Sequence, residues 1–234
     1  MRTILFDLDG VLLDTEPLYR RFWKEAAKAC GLEMTDEEAL GLRSLDGALA
    51  RKRFEERYGA DVYTDLRETR KRLMEEYRAD HPVRAKAGAA EMPEMLAELG
   101  IDYYIVTASP LSRVERYTKD AGFSLDPARV ISTKTVARGK PYPDVYQEAM
   151  RIAGVKISRD TEAEAPAGTG ELPIAVEDSP NGIRSAKAAG CYTVMIPDLT
   201  QPTEEDRKYC DRVCDDMNAF LEWIRTLVKN GDFR

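Results

Sequence analysis

Apolar positions near the N-terminus fall in one short block. Ile4, Leu5, Phe6 and Leu8 within MRTILFDLDG predict a buried strand over residues 3–8. Residues 17–80 have a different rhythm. PLYRRFWKEAAKACG, TDEEALG, DGALARKRFEERYG and TDLRETRKRLMEEYRAD read as four helices with almost no strand signal. Thr35 followed by three acids predicts an N-cap, Gly31, Gly41 and Gly59 predict stops, and His81-Pro82 ends the run. The charges of the last segment, among them Arg67, Arg70, Lys71 and Glu75, read as a solvated face.

From residue 84 onward helix and strand patterns alternate. A helix over 90–99 precedes the strands IDYYIVT, RVIST, PIAVED and CYTVMIP, with helices between them beginning near Ser109, Pro143 and Ser179. Alternation of this kind implies a parallel sheet covered by helices on both faces. The expected fold class is therefore α/β, a Rossmann-like parallel-sheet core with an inserted α-helical cap domain. Residues 1–14 and 84–234 are assigned to the core and 15–83 to the cap. The stretch SRDTEAEAPAGTGELP, residues 158–173, has no apolar period. It reads as a surface loop on the sheet edge remote from a ligand crevice.

Composition narrows the function classes. Apolar residues at 43% and charged residues at 33% of 234 are values of a folded globular chain, not a disordered one. A net charge of −7 supplies no basic field for nucleic acid or an anionic membrane. No apolar run reaches the ~18 residues of a membrane span. Asp7 and Asp9 interrupt any candidate signal peptide. Cys30, Cys191, Cys210 and Cys214 are scattered, without the pair spacing of a zinc ribbon, and read as reduced thiols. A cytoplasmic monomer acting on a small molecule is the expectation.

The candidate chemistry begins with FDLDG. Strand side chains alternate, so Asp7 and Asp9 leave the strand end on the same side. Two carboxylates held so close need a cation between them or a shared proton. Ligands of open α/β sheets bind beyond the carboxyl ends of the strands. There the other strands deliver Thr107, Ala108 and Ser109, then Arg138, Gly139 and Lys140, then Glu177 and Asp178. Together these describe a site for a phosphate and a divalent cation. Mg²⁺ takes oxygen ligands and keeps several waters, so a few carboxylates plus a phosphate oxygen suffice, and Asp7 with Asp178 can bind it. Thr107 lies at a helix start that favours anions, and Lys140 adds positive charge for a transferring phosphoryl group. One Asp is a candidate nucleophile and the other a candidate acid/base.

DLDGVLLDTEP, IVTASP, GKPYPD and AVEDSPNG resemble, in order and spacing, the four motifs of the haloacid dehalogenase superfamily. The helical insert resembles the cap of the branch containing beta-phosphoglucomutase and many small-molecule phosphatases. The resemblance implies Asp7 as nucleophile and Asp9 as general acid/base, with Thr107, Ala108 and Lys140 on the phosphate. It also implies Mg²⁺ held by Asp7, the Asp9 carbonyl, Glu177 and Asp178. Hinges fall near residues 13–16 and 80–85, and GLRSLDG presents Arg43 and Ser44 as specificity residues. Asp9 argues against a dehalogenase. Where the mutases carry a cap-hinge histidine, this chain has Tyr19. The implied activity is hydrolysis of a small phosphorylated metabolite through an aspartyl phosphate, with a sugar-phosphate mutase as the alternative.

Overall fold

A computed structural model describes residues 2–155 and 172–233. Its centre is a six-stranded, all-parallel sheet in the order β3-β2-β1-β4-β5-β6. The strands are β1 (Thr3–Phe6), β2 (Asp102–Thr107), β3 (Val130–Ser132), β4 (Ile174–Glu177), β5 (Tyr192–Met195) and β6 (Arg212–Val213). β1 ends two residues earlier than its apolar run predicts, because the chain turns at Gly10 and folds back through Leu13. Alternation along β1 feeds both layers of the core. Ile4 and Phe6 enter one buried cluster and Leu5 the other.

The strand order reverses between β1 and β4, and at such a switch point the two connecting chains leave a crevice beyond the strand ends. Register sets what meets there. Phe6 pairs with Ile105 on one side and Val176 on the other, so Asp7 emerges between the ends of β2 and β4.

Between β1 and β2 lie α1 (Glu16–Ala29), α2 (Asp36–Leu40), α3 (Gly47–Tyr58), α4 (Val62–Asp80) and the short α5 (Met92–Glu98). The local signals act as read: Thr35 forms a full capping box with Glu38, Gly41 and Gly59 close α2 and α3, and Pro93 occupies the first turn of α5. α1 to α4 share an apolar cluster of their own around Trp23, Phe54, Tyr63 and Leu66, with the Trp23 and Phe54 rings 5.1 Å apart. One expectation fails here. Arg70 is not part of a solvated face but is buried, stacked on the Trp23 and Tyr19 rings at 4.7 and 5.0 Å.

The remaining helices alternate with strands: α6 (Leu111–Asp120), α7 (Asp144–Ile152), α8 (Pro180–Ala188), α9 (Glu204–Arg207) and α10 (Met217–Asn230). β6, α9 and α10 extend the fold beyond the last strand predicted. α10 seats Met217, Phe220, Leu221, Ile224 and Leu227 on the core, with Phe220 edge-on to Phe6 at 5.7 Å. The stretch 158–173, read as a loop remote from the crevice, falls almost wholly outside the described residues.

Candidate active site

Four residues meet beneath the end of β1. The Lys140 ammonium donates to Asp7 Oδ1 and Glu177 Oε1, each at 2.5 Å, and to the Val106 carbonyl at 2.9 Å. All three of its N–H bonds are engaged, and the side chain is fully buried. Tyr146, on the inner face of α7, donates its hydroxyl to Glu177 Oε1 at 2.5 Å. Burial pulls the Lys140 ammonium down, but Asp7 and Glu177 outweigh it and its pKa stands above the ordinary lysine value. Burial pushes Asp7 well up against the opposing pull of Lys140, with Glu177, Asp178 and Asp9 adding to the rise. Asp178 is pushed up to about 8 by burial, with Arg43 opposing.

Asp7, Glu177 and Asp178 each direct an oxygen into one cluster whose members lie within 4.8 Å of one another. Asp7 Oδ2, Glu177 Oε2 and both Asp178 oxygens are buried and accept no hydrogen bond from the described residues. Burying that many unpaired carboxylate oxygens is costly unless a cation meets them. The donors are hard oxygens, the set that Mg²⁺ prefers. Gly10 makes the approach feasible. Its φ is +87°, and a Cβ there would stand 2.5 Å from Asp178 Oδ2.

Asp9 faces a different set of partners. It accepts the Thr15 hydroxyl at 2.7 Å and the Ser109 hydroxyl at 2.9 Å, so its carboxylate is fixed from two sides. Thr15 stands at the N-cap of α1 yet makes no capping bond, its hydroxyl going to Asp9 instead. Thr107 is buried at the end of β2, where its hydroxyl oxygen accepts the Ser109 N–H at 3.0 Å. Ala108 and Ser109 line a cavity of about 140 Å³ together with Asp7 and Asp9.

That cavity also receives the three specificity candidates, Arg43, Ser44 and Tyr19. Arg43 reaches furthest in. Its guanidinium lies 3.7 Å from Asp178 Oδ2 and donates to Thr200 Oγ1 at 2.5 Å, while its carbonyl accepts the Asn181 amide. Ser44 adopts φ 51°, in the left-handed region. The Tyr19 phenol, raised by burial and by Asp9, accepts from Arg113 at 3.3 Å. Asp46 joins the helical insert to the Lys140 loop: its carboxylate accepts the Gly139 N–H at 2.8 Å, and its own N–H donates to the Lys140 carbonyl at 2.7 Å.

Several contributors escape sequence reasoning. Thr15 looks like an ordinary helix cap, Tyr146 like a core position, and Asp46 like the N-cap that it also is. Glu16, buried beside the cavity and raised by burial and by Asp178 and Asp9, lies inside the first motif, DLDGVLLDTEP, but the motif reading assigns it no role.

Comparison with known proteins gives the family and the fold. Residues 1–190 match a family model described as haloacid dehalogenase-like hydrolase. Protein CbbY of Cereibacter sphaeroides is 30% identical over 217 residues, which cover 88% of each chain. Hexitol phosphatase A of Escherichia coli (strain K12) is 30% identical over 82% of this chain and 81% of its own. The crystal structure of CbbY from Rhodobacter sphaeroides in complex with phosphate superposes with a TM-score of 0.70 at 26% identity, covering 92% of this chain and 94% of that one.

Proposed function

The chain belongs to the haloacid dehalogenase-like hydrolases, and from that premise we propose that it is a Mg²⁺-dependent phosphatase of a small phosphorylated metabolite, working through an aspartyl phosphate on Asp7. The observation that carries this reading is the buried constellation in which Lys140 bridges Asp7 and Glu177 beside Asp178.

Asp7, Asp178 and Glu177, with the Asp9 carbonyl, are the residues that would hold Mg²⁺. Their unpaired buried oxygens fit that ion. Bound there, the ion would supply positive charge against the phosphoryl oxygens. The protein's own residues do the rest. Lys140 holds and orients the Asp7 carboxylate, one oxygen of which attacks phosphorus. As the bond from Asp7 to phosphorus forms, the bond to the substrate oxygen breaks, and Asp9 gives that oxygen a proton. Asp9 then takes a proton from a water molecule that attacks the phosphoryl group and frees Asp7. Thr15 and Ser109 hold Asp9 in place for both transfers. Thr107, Ala108 and Lys140 border the phosphate. Residues 15–83 act as the cap over a core of 1–14 and 84–234, presenting Arg43, Ser44 and Tyr19 to the substrate.

Hydrolysis is favoured over mutase chemistry by Tyr19. A phenol raised above its ordinary value does not exchange protons near neutrality as a histidine does. Hexitol phosphatase A, a relative named for phosphate removal, supports the same choice. The test is phosphate release across a panel of phosphorylated metabolites with Mg²⁺ and with chelator. Release that needs Mg²⁺ and outpaces isomerisation of β-glucose 1-phosphate in the presence of a bisphosphate primer is expected. Efficient isomerisation with negligible phosphate release would overturn it.

A further inference from the structure

Beyond the carboxylates, the same cavity is lined by basic side chains that the phosphatase chemistry leaves unused. Arg67 and Arg70 come from α4, Arg113 from α6, and Lys134 from the turn after β3. Arg70 is 6% exposed, and its Nε has no hydrogen-bond partner among the described residues. The Tyr19 and Trp23 rings hold its guanidinium without neutralising it. Among the described residues Arg70, Arg113 and Lys134 form no ion pair. The polar contact of Arg113 is the Tyr19 hydroxyl. Arg67 meets only its exposed neighbour Glu68 at 3.5 Å, a contact of little worth in water.

The acids of the cavity do not balance this charge. Asp7 is engaged by Lys140; Asp9, held by two hydroxyls, keeps a charge that favours the Arg113 guanidinium, and Glu16 also lines the cavity, but these three acids stand against five cations, Arg43 included. Like charges therefore face one another. Burial lowers the Lys134 ammonium, and Arg67 and Arg113 lower it further, with Asp46 opposing. Arg113 and Arg67 likewise add to the effect of burial on Arg70. Arg70 is buried, Arg67 and Arg113 are half-buried and Lys134 stands exposed at the rim, so an anion entering between them would relieve their mutual repulsion and meet the unpaired charge of Arg70.

We propose that Arg67, Arg70, Arg113 and Lys134 form a subsite for a second anionic group, so that the substrate carries its scissile phosphate and, elsewhere on the molecule, a further phosphate or carboxylate. This rests on the phosphatase reading and narrows it: a neutral polyol monophosphate leaves the subsite unfilled, whereas a bisphosphate or a phosphorylated sugar acid fills it.

The test separates the two claims. Full-length Asp7→Asn protein, in which turnover is blocked, is titrated by calorimetry in Mg²⁺ with glucose 6-phosphate, 6-phosphogluconate and fructose 1,6-bisphosphate. At least one of the last two binds about tenfold or more tightly than glucose 6-phosphate, the worth of a charge-assisted hydrogen bond. Which of them gains shows whether the second anion is a carboxylate or a phosphate. Adding Arg113→Gln and Lys134→Gln, at positions not fully buried, removes that preference and leaves glucose 6-phosphate affinity within about twofold, because a neutral end makes no charge-assisted contact there. Equal affinities for all three compounds, no binding of either two-anion compound, or a preference that survives the double substitution would overturn the subsite. Wild-type protein that releases phosphate from no phosphomonoester would instead overturn the hydrolase reading.

Discussion

At the scale of single residues, the site depends on side chains whose neighbours leave them no freedom. Glu177 is fully buried, and a Cβ on Gly182 would stand 1.9 Å from its Oε2. Gly182→Ala must therefore displace a carboxylate that Lys140 and Tyr146 both hold. The expected cost is about 1–3 kcal/mol by urea unfolding, the range of an overpacked core, together with loss of activity. Unchanged stability would show that Glu177 moves aside freely. Asp9 makes a different prediction. Asp9→Asn keeps the shape of the side chain but cannot hand over a proton, so turnover should fall by roughly 10²–10⁴ while Mg²⁺ binding persists. Calorimetric loss of Mg²⁺ binding in that variant would place the Asp9 carboxylate among the metal ligands instead.

At the scale of elements, α3 shows how one residue serves two ends. One carboxylate oxygen of Asp46 caps the helix through the Ala48 and Leu49 N–H groups, and the other accepts the Gly139 N–H. Asp46→Asn retains an oxygen for the cap but turns an amide toward Gly139, whereas Asp46→Ala loses both contacts. Asp46→Ala should cost about 1 kcal/mol or more of stability. Asp46→Asn should change stability less yet raise KM, because the Lys140 loop loses the side-chain one of its two ties to the insert. Identical KM values for Asp46→Asn and wild type would leave that tie without a functional role. The same scale shows where periodicity was readable and went unread. Met217, Phe220, Leu221, Ile224 and Leu227 repeat at three- and four-residue intervals, a helical signal as clear as any before it. β6 was not readable, since two residues, Arg212 and Val213, carry no period.

At the scale of the whole molecule, the α/β alternation and the four strand-end motifs were legible because each is a local pattern that the sheet carries to one edge. What stayed hidden is what the fold assembles from distant segments. Arg70 looks solvated on its own helix and is buried only because α1 packs Trp23 and Tyr19 against it. Thr15 and Ser109 lie 94 residues apart in sequence and meet only at Asp9. The cysteines follow the same logic. Cys30 is exposed, Cys191 and Cys214 are buried, and burial with Asp206 pushes Cys210 up to about 11. At pH 8 the Cys210 thiolate is then about one part in a thousand, so a thiol reagent should modify Cys30 first, the half-buried Cys210 far more slowly, and Cys191 and Cys214 only on unfolding. Rapid modification of more than one thiol in the native protein would contradict this packing.

The central claim is that Asp7 carries the phosphoryl group, and mass spectrometry of the acid-quenched reaction tests it most directly. With a hydrolysed metabolite and Mg²⁺, one added phosphoryl group should appear on the peptide containing Asp7, and both the adduct and phosphate release should vanish in Asp7→Asn. Sustained phosphate release by Asp7→Asn, or an adduct mapped to any other residue, would contradict it.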